Sequence, residues 1–149
     1  MSKQATVIKN RKASYEYALM QSFTAGIVLT GTEVKSIREG KANINDAYCI
    51  LENGELWIKE MHISEFKQGS YNNHEPKRLR KLLLKKTELA KIKSKLKEKG
   101  ITIIPVQLYF NERGFAKLDI SLAKGKKMHD KREDIKKKDQ EREISRVVR

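Results

Sequence analysis

The stretch Ala47-Tyr48-Cys49-Ile50-Leu51-Glu52-Asn53-Gly54-Glu55-Leu56-Trp57-Ile58-Lys59-Glu60-Met61 decides the fold. Asn53-Gly54 is the strongest short signal for a two-residue hairpin turn, because both residues accept the positive φ such a turn demands. Its flanks, Ala47 to Leu51 and Glu55 to Met61, therefore read as paired antiparallel strands. Along the second, Leu56, Ile58 and more weakly Glu60 share one face while Trp57 and Lys59 share the other, the period of a half-buried strand.

The segments on either side repeat this pattern. Tyr15 to Phe23 alternates loosely, and Ile27-Val28-Leu29, punctuated by Gly26 and Gly31, reads as a buried strand. Thr32 as N-cap, Val34 and Ile37 on one face and Gly40 as terminal cap predict a helix of about two turns. Gly69 to Pro76 is turn chemistry, and Leu79 to Leu84 a further strand. Thr87 caps a second helix with an apolar stripe of Leu89, Ile92 and Leu96, closed by Gly100. Ile101 to Phe110 is a strand that Pro105 marks as an edge or a bulge, and a turn at Asn111 to Gly114 leads into Phe115 to Leu122. Six or so short strands with two or three short helices make the class mainly β. The expected architecture is a small antiparallel oligonucleotide-binding-like barrel, closed or nearly so, with the helices outside it and a basic C-terminal tail.

Charge divides the chain further. Its 149 residues carry a net charge of +14, with 38% hydrophobic and 35% charged residues. That suits one domain plus an extension and implies a polyanionic partner, nucleic acid before an anionic membrane. Residues 14–76 sum to −4, whereas residues 77–100 hold eleven basic groups against Glu88 and Glu98. An arm (1–12), a barrel domain (13–124) and a tail (125–149) follow from this distribution. In the tail, Met128, Ile135, Ile144, Val147 and Val148 are too sparse to anchor a helix on the barrel. Glu133/Lys137 and Asp134/Lys138 are favourable i,i+4 pairs worth about 0.2–0.5 kcal/mol each, so the tail is expected to be disordered alone and helical when a surface accepts it.

Several classes are excluded. No apolar run approaches the roughly 20 residues of a membrane span, and Met1 to Lys12 lacks a secretion signal's apolar core, so a cytoplasmic protein is expected. The single Cys49 reads as a core thiol. His62, His74 and His129 lie far apart, show no metal-ligand spacing and read as surface or contact histidines. No phosphate loop or nucleophile elbow is present, so no enzyme is expected. Glu33, beside Lys35 and Arg38, has three open readings: a helix-dipole contact, an acceptor for a base edge, or a group orienting cations.

Three blocks carry a resemblance: Asn10-Arg11-Lys12-Ala13 with Tyr15-Glu16-Tyr17, the run from Ala25 to Arg38, and Gly125-Lys126-Lys127-Met128-His129-Asp130-Lys131-Arg132-Glu133. With Met61-His62-Ile63-Ser64 and Arg80-Lys81-Leu82-Leu83-Leu84, they make the chain similar to the small protein B family, the SsrA-binding proteins that partner transfer-messenger RNA in bacteria. The resemblance implies a non-enzymatic adaptor of ribosome rescue, without cofactor or metal. Its barrel grips the tRNA-like domain of that RNA, and its tail enters the empty mRNA channel of a stalled ribosome and folds there as a helix. Implied partners are transfer-messenger RNA, small-subunit ribosomal RNA and, through the RNA, elongation factor Tu and alanyl-tRNA synthetase; a monomer with no membrane role is implied. RNA contacts fall on Asn10, Arg11 and Lys12, on Tyr15 and Tyr17 as stacking rings, on Glu33, Lys35, Ser36 and Arg38, and on Arg80, Lys81 and Lys85. At Lys85 some relatives carry Asn or His, which leaves a phosphate contact. Ribosome contacts fall on Lys126, Lys127, His129, Asp130, Lys131, Arg132, Lys136, Lys137 and Ile144, with His129 stacking in the decoding centre. The alternative from composition and pattern is a generic barrel-type RNA-binding or ribosomal protein with no rescue role.

Overall fold

A computed structural model of the chain describes residues 6–126. Strands β1 (Val7–Lys9), β2 (Tyr17–Ile27), β4 (Tyr48–Glu52), β5 (Glu55–Lys59), β7 (Arg80–Leu83), β8 (Ile101–Phe110) and β9 (Ala116–Gly125) form one antiparallel sheet, with β3 (Ala42–Asn43) and β6 (His62–Ile63) a separate pair. The order β8-β4-β5-β7-β2-β9 returns to β8 through the β8–β9 pairing, so six strands close into a barrel. Closure removes the unpaired edges that an open sheet exposes.

The hairpin reading holds: Leu51 pairs with Leu56 and Cys49 with Ile58, and both Asn53 (φ 53°) and Gly54 (φ 74°) take the positive values the turn needs. Glu60 departs from expectation, standing outside β5 at φ 60° and exposed. Pro105 marks a bulge. The β8–β9 register slips between Pro105 and Gln107, and the extra residue resets the alternation so that both Ile103 and Leu108 point inward. β8 is not an edge strand, however, since β1, β4 and β9 all pair with it.

Three boundaries are corrected. The strand expected at Ile27-Val28-Leu29 ends at Ile27 and begins ten residues earlier, with Phe23, Ala25 and Ile27 buried and Val28 exposed. A register shift between Leu19 and Ser22 disturbs its early alternation. Helix α2 (Gly31–Arg38) is capped by Thr30, not Thr32: Thr30 Oγ1 accepts from the Glu33 amide, and Glu33 Oε1 accepts from the Thr30 amide at 2.8 Å. Helix α3 (Lys86–Lys95) starts before Thr87, and Glu88 supplies the cap by accepting from the Lys85 amide at 3.1 Å. Gly40 (φ 76°) ends α2 as expected, the Gly40 and Lys41 amides closing on the Ile37 and Ser36 carbonyls.

The barrel is filled by Phe23, Ala25, Ile27, Cys49, Leu56, Ile58, Leu82, Ile103, Leu108, Leu118, Ile120 and Leu122, and Ile37 of α2 and Ile92 of α3 close over it. A short helix α1 (Ala13–Glu16) makes the third. Its Ala13 packs on Ile104 and Ala123, with Tyr17 alongside. The basic arm is not separate from the sheet, because β1 pairs with β8 and Ile8 leans on the core. A 3-10 turn at Lys67–Asn72 begins two residues before the expected loop of Gly69 to Pro76 and runs into it.

Candidate nucleic-acid interface

α2 and β7 meet at one end of the barrel. The capping box fixes Glu33 in the first turn of α2, and the inward parity that β7 shares with Leu82 sends Arg80 into the interior, opposite Ile58. Both side chains are fully buried. Arg80 Nε donates to Glu33 Oε2, while its other nitrogens donate to the carbonyls of Met61 (2.7 Å) and Pro76 (3.0 Å). Arg78 reaches the same carboxylate from the surface, its Nη2 donating to Glu33 Oε1 at 2.7 Å and to the Val28 carbonyl at 3.1 Å. Burial pushes the Glu33 carboxyl up, but the hydrogen bonds from Arg78 and the Thr30 amide, with the charge and hydrogen bond of Arg80, outweigh it and hold the group below its ordinary value.

This geometry corrects the expected direct RNA contact for three residues. Glu33, Arg80 and Ser36 have no exposed surface, and Ser36 Oγ donates to the Ser64 carbonyl at 2.7 Å. Of the three readings of Glu33, two fit: it sits in the first turn of α2 and accepts from the Thr30 amide, and it orients cations, which are Arg78 and Arg80 and not Lys35 and Arg38. His74 is likewise buried, not on the surface. Its Nε2 lies 2.8 Å from the Ile63 carbonyl and so carries the proton, leaving Nδ1 to accept from Thr32 Oγ1 at 2.9 Å.

Two of the cations that face outward, Lys35 and Arg38, lie over aromatic rings. Lys35 Nζ lies 5.5 Å from the centre of the Phe66 ring, and the Arg38 guanidinium 5.1 Å from that of Phe110. Thr6 Oγ1 donates to the Arg38 carbonyl at 3.0 Å, tying the arm to the end of α2. From there Lys9 and Arg11 border an open cleft of about 350 Å³ shared with Gly40 and Asn43, which brings the arm's charge beside α2. Lys12 pairs with Asp46 at 3.2 Å, and Asn10 is structural as well as partly exposed: its Nδ2 donates to the Pro105 carbonyl at 2.8 Å. Tyr15 is half-buried, whereas Tyr17 is a base for α1.

On the outer face of β7, Lys81 stands opposite Trp57 and pairs with Glu55 at 3.3 Å. Lys85 is exposed at the start of α3. The sequence reading missed Arg78, Phe66 and Phe110; Arg78 was visible only as one charge among eleven between residues 77 and 100. In the tail, the Lys126 amide donates to the Glu16 carbonyl at 2.9 Å. Lys127, His129, Asp130, Lys131, Arg132, Lys136, Lys137 and Ile144 lie outside the described residues. Among the described residues no group of His, Cys, Asp or Glu side chains is placed to hold a metal, and no helix is long and apolar enough to cross a membrane. Burial pushes the Cys49 thiol far up, so it stays protonated.

The family model for the SmpB protein matches residues 7–149. The chain belongs to the SmpB family. Its relatives include SsrA-binding proteins from Bacteroides thetaiotaomicron, 54% identical over 100% of this chain and 99% of its own length, and from Cytophaga hutchinsonii, 58% identical over 94% and 92%. A solved structure, "tmRNA-SmpB: a journey to the center of the bacterial ribosome", holds an SmpB-like chain that superposes with a TM-score of 0.71 at 45% identity, covering 83% of this chain and 87% of that one. The barrel described above is thus an SmpB barrel.

Proposed function

We propose that the chain binds transfer-messenger RNA through its barrel and delivers it to stalled ribosomes. The observation that carries this is membership of the SmpB family, joined to a superposition on the SmpB chain of a tmRNA–ribosome structure at 45% identity. The described surface supports it: Lys35, Arg38, Lys9 and Arg11 lie around one end of α2, each exposed, two of them fixed over rings. Lys81 and Lys85 add a second basic edge, and Tyr15 offers a ring for an unpaired base. Asn10 and Lys12 orient the arm. Glu33 and Arg80 serve the interface from inside by fixing α2 against β7, and Ser36 by tying α2 to the Ser64 carbonyl after β6.

In this reading the tail, residues 125–149, takes ribosomal RNA, with Lys126 and Lys127 at its start. His129, Asp130, Lys131 and Arg132 enter the decoding centre, and Lys136, Lys137 and Ile144 follow in the mRNA channel. Elongation factor Tu and alanyl-tRNA synthetase act on the bound RNA and not on the protein. The protein is a cytoplasmic monomer with no catalytic step of its own. The test is to purify the protein from cells under low salt and sequence the RNA that travels with it. Enrichment of transfer-messenger RNA above all other transcripts is the expected result; enrichment of ribosomal RNA alone would replace this reading with that of a generic ribosomal binder.

A further inference from the structure

We propose that Arg78 is a base-stacking platform within the RNA interface, its guanidinium held by its edges so that the flat face is what an unpaired nucleobase meets. The inference rests on the transfer-messenger RNA reading above and adds a contact to it. An arginine side chain has five N–H donors. Here Nε points to Glu33 Oε2 at 3.4 Å, Nη2 donates to Glu33 Oε1 at 2.7 Å and to the Val28 carbonyl at 3.1 Å, and Nη1 points to the Leu79 carbonyl at 3.5 Å. A phosphate taken in the two-pronged manner needs a pair of free parallel donors. These partners leave no such pair.

Yet the side chain keeps 34% of its surface exposed, while the carboxylate that anchors it has none. With four of the five N–H groups directed at protein acceptors, the flat face is the part of the exposed guanidinium left for an extended contact, and stacking is the mode that uses it.

The neighbouring side chains suit a base better than a phosphate. Val28 is 44% exposed and Leu79 38%, and both stand on the outer side of the β2–β7 pairing, where the Val28 amide donates to the Lys81 carbonyl at 3.0 Å. Two exposed aliphatic groups around a locked cation form an apolar rim. Leu79 belongs to residues 77–100, the most basic segment of the chain, and Val28 bonds to it at Lys81, so an RNA strand is drawn to the place where the rim stands. Glu33 is then a positioning residue, acting on RNA through the plane it imposes on Arg78.

The test is the affinity of the full chain for transfer-messenger RNA across a salt series, with Arg78→Lys, Arg78→Gln and Leu79→Ser variants. Lysine keeps the charge and the pairing with Glu33 but has no plane, so stacking predicts a loss of about tenfold for Arg78→Lys. Arg78→Gln should lose affinity with the same salt slope as wild type. Leu79→Ser lies outside the ion cluster and should lose about threefold, which keeps the test available should an Arg78 variant fail to fold. Wild-type affinity in Arg78→Lys and Leu79→Ser would overturn the stacking contact. So would a slope shallower by about 0.7–0.9 in Arg78→Gln, because that marks a lost phosphate contact. Failure of the wild-type protein to bind this RNA at all would instead remove the functional reading, and the contact with it.

Discussion

Replacing Glu33 by glutamine removes the negative charge at the centre of the α2–β7 junction. Arg80 is fully buried, and in the variant it keeps its bonds to the Met61 and Pro76 carbonyls, while the glutamine oxygen can still accept from Nε. What disappears is the counter-charge together with one acceptor oxygen, because the glutamine NH2 then faces the Thr30 amide and Arg78 Nη2, which donate to Oε1 in the wild type. Breaking a buried ion pair by removing one partner costs about 3–5 kcal/mol, and the surviving hydrogen bonds place this variant at the lower end, about 3 kcal/mol. With a urea slope of about 1.5–2 kcal/mol per molar, the unfolding midpoint should fall by about 1.5–2 M. Trp57, the one tryptophan, lies half-buried on β5 beside β7 and reports the transition by fluorescence. A Glu33→Leu/Arg80→Met double variant removes both buried charges and should be more stable than Glu33→Gln, short of wild type by the lost acceptor for the Thr30 amide and Arg78 and the lost donors to the Met61 and Pro76 carbonyls. An unchanged midpoint in Glu33→Gln, or a double variant less stable than the single one, would refute the description of this cluster as a mutually dependent buried pair.

The same carboxylate gives a pH dependence. Its folded value lies below the ordinary 4.5, so its contribution to stability is complete above about pH 4.5 and is lost as pH falls through the folded value; urea midpoints between pH 6 and pH 3 should drop in wild type and drop less in Glu33→Gln. Gly40→Ala meets no steric neighbour, but it forces alanine to φ 76° and should cost about 1 kcal/mol in thermal or urea unfolding. Arg38→Ala, at an exposed site, should leave the urea midpoint nearly unchanged and lower transfer-messenger RNA affinity about tenfold, with a shallower salt slope, measured by filter binding.

How much of this was legible depended on where the determining interaction lay. The hairpin at Asn53-Gly54 and the bulge at Pro105 were readable because each follows from the backbone chemistry of one or two residues. The α2 cap was readable too, since Thr30 and Glu33 stand at the capping-box spacing, but the nearer Thr32 competed for the role. At α3 the cap comes from Glu88 reaching back to Lys85, a residue whose side chain does not cap, so no N-cap signal marked the true start. Arg80 shares parity with Leu82, which was the available sign that a cation on β7 points inward. Its partner could not be found that way, because nothing local to Glu33 says that β7 passes beneath it 47 residues later. Charges first assigned to an RNA surface thus divide into a buried set that shapes the junction and an exposed set around it.

The division of labour between barrel and tail is tested by comparing the full chain with a 1–126 truncation, for transfer-messenger RNA affinity across salt and for peptide tagging on stalled ribosomes. Retained affinity with a salt slope on the order of −4 in both proteins, as expected for about five neutralised phosphates, together with tagging lost only in the truncation, is the predicted result. A truncation whose RNA affinity falls as far as its tagging would contradict it.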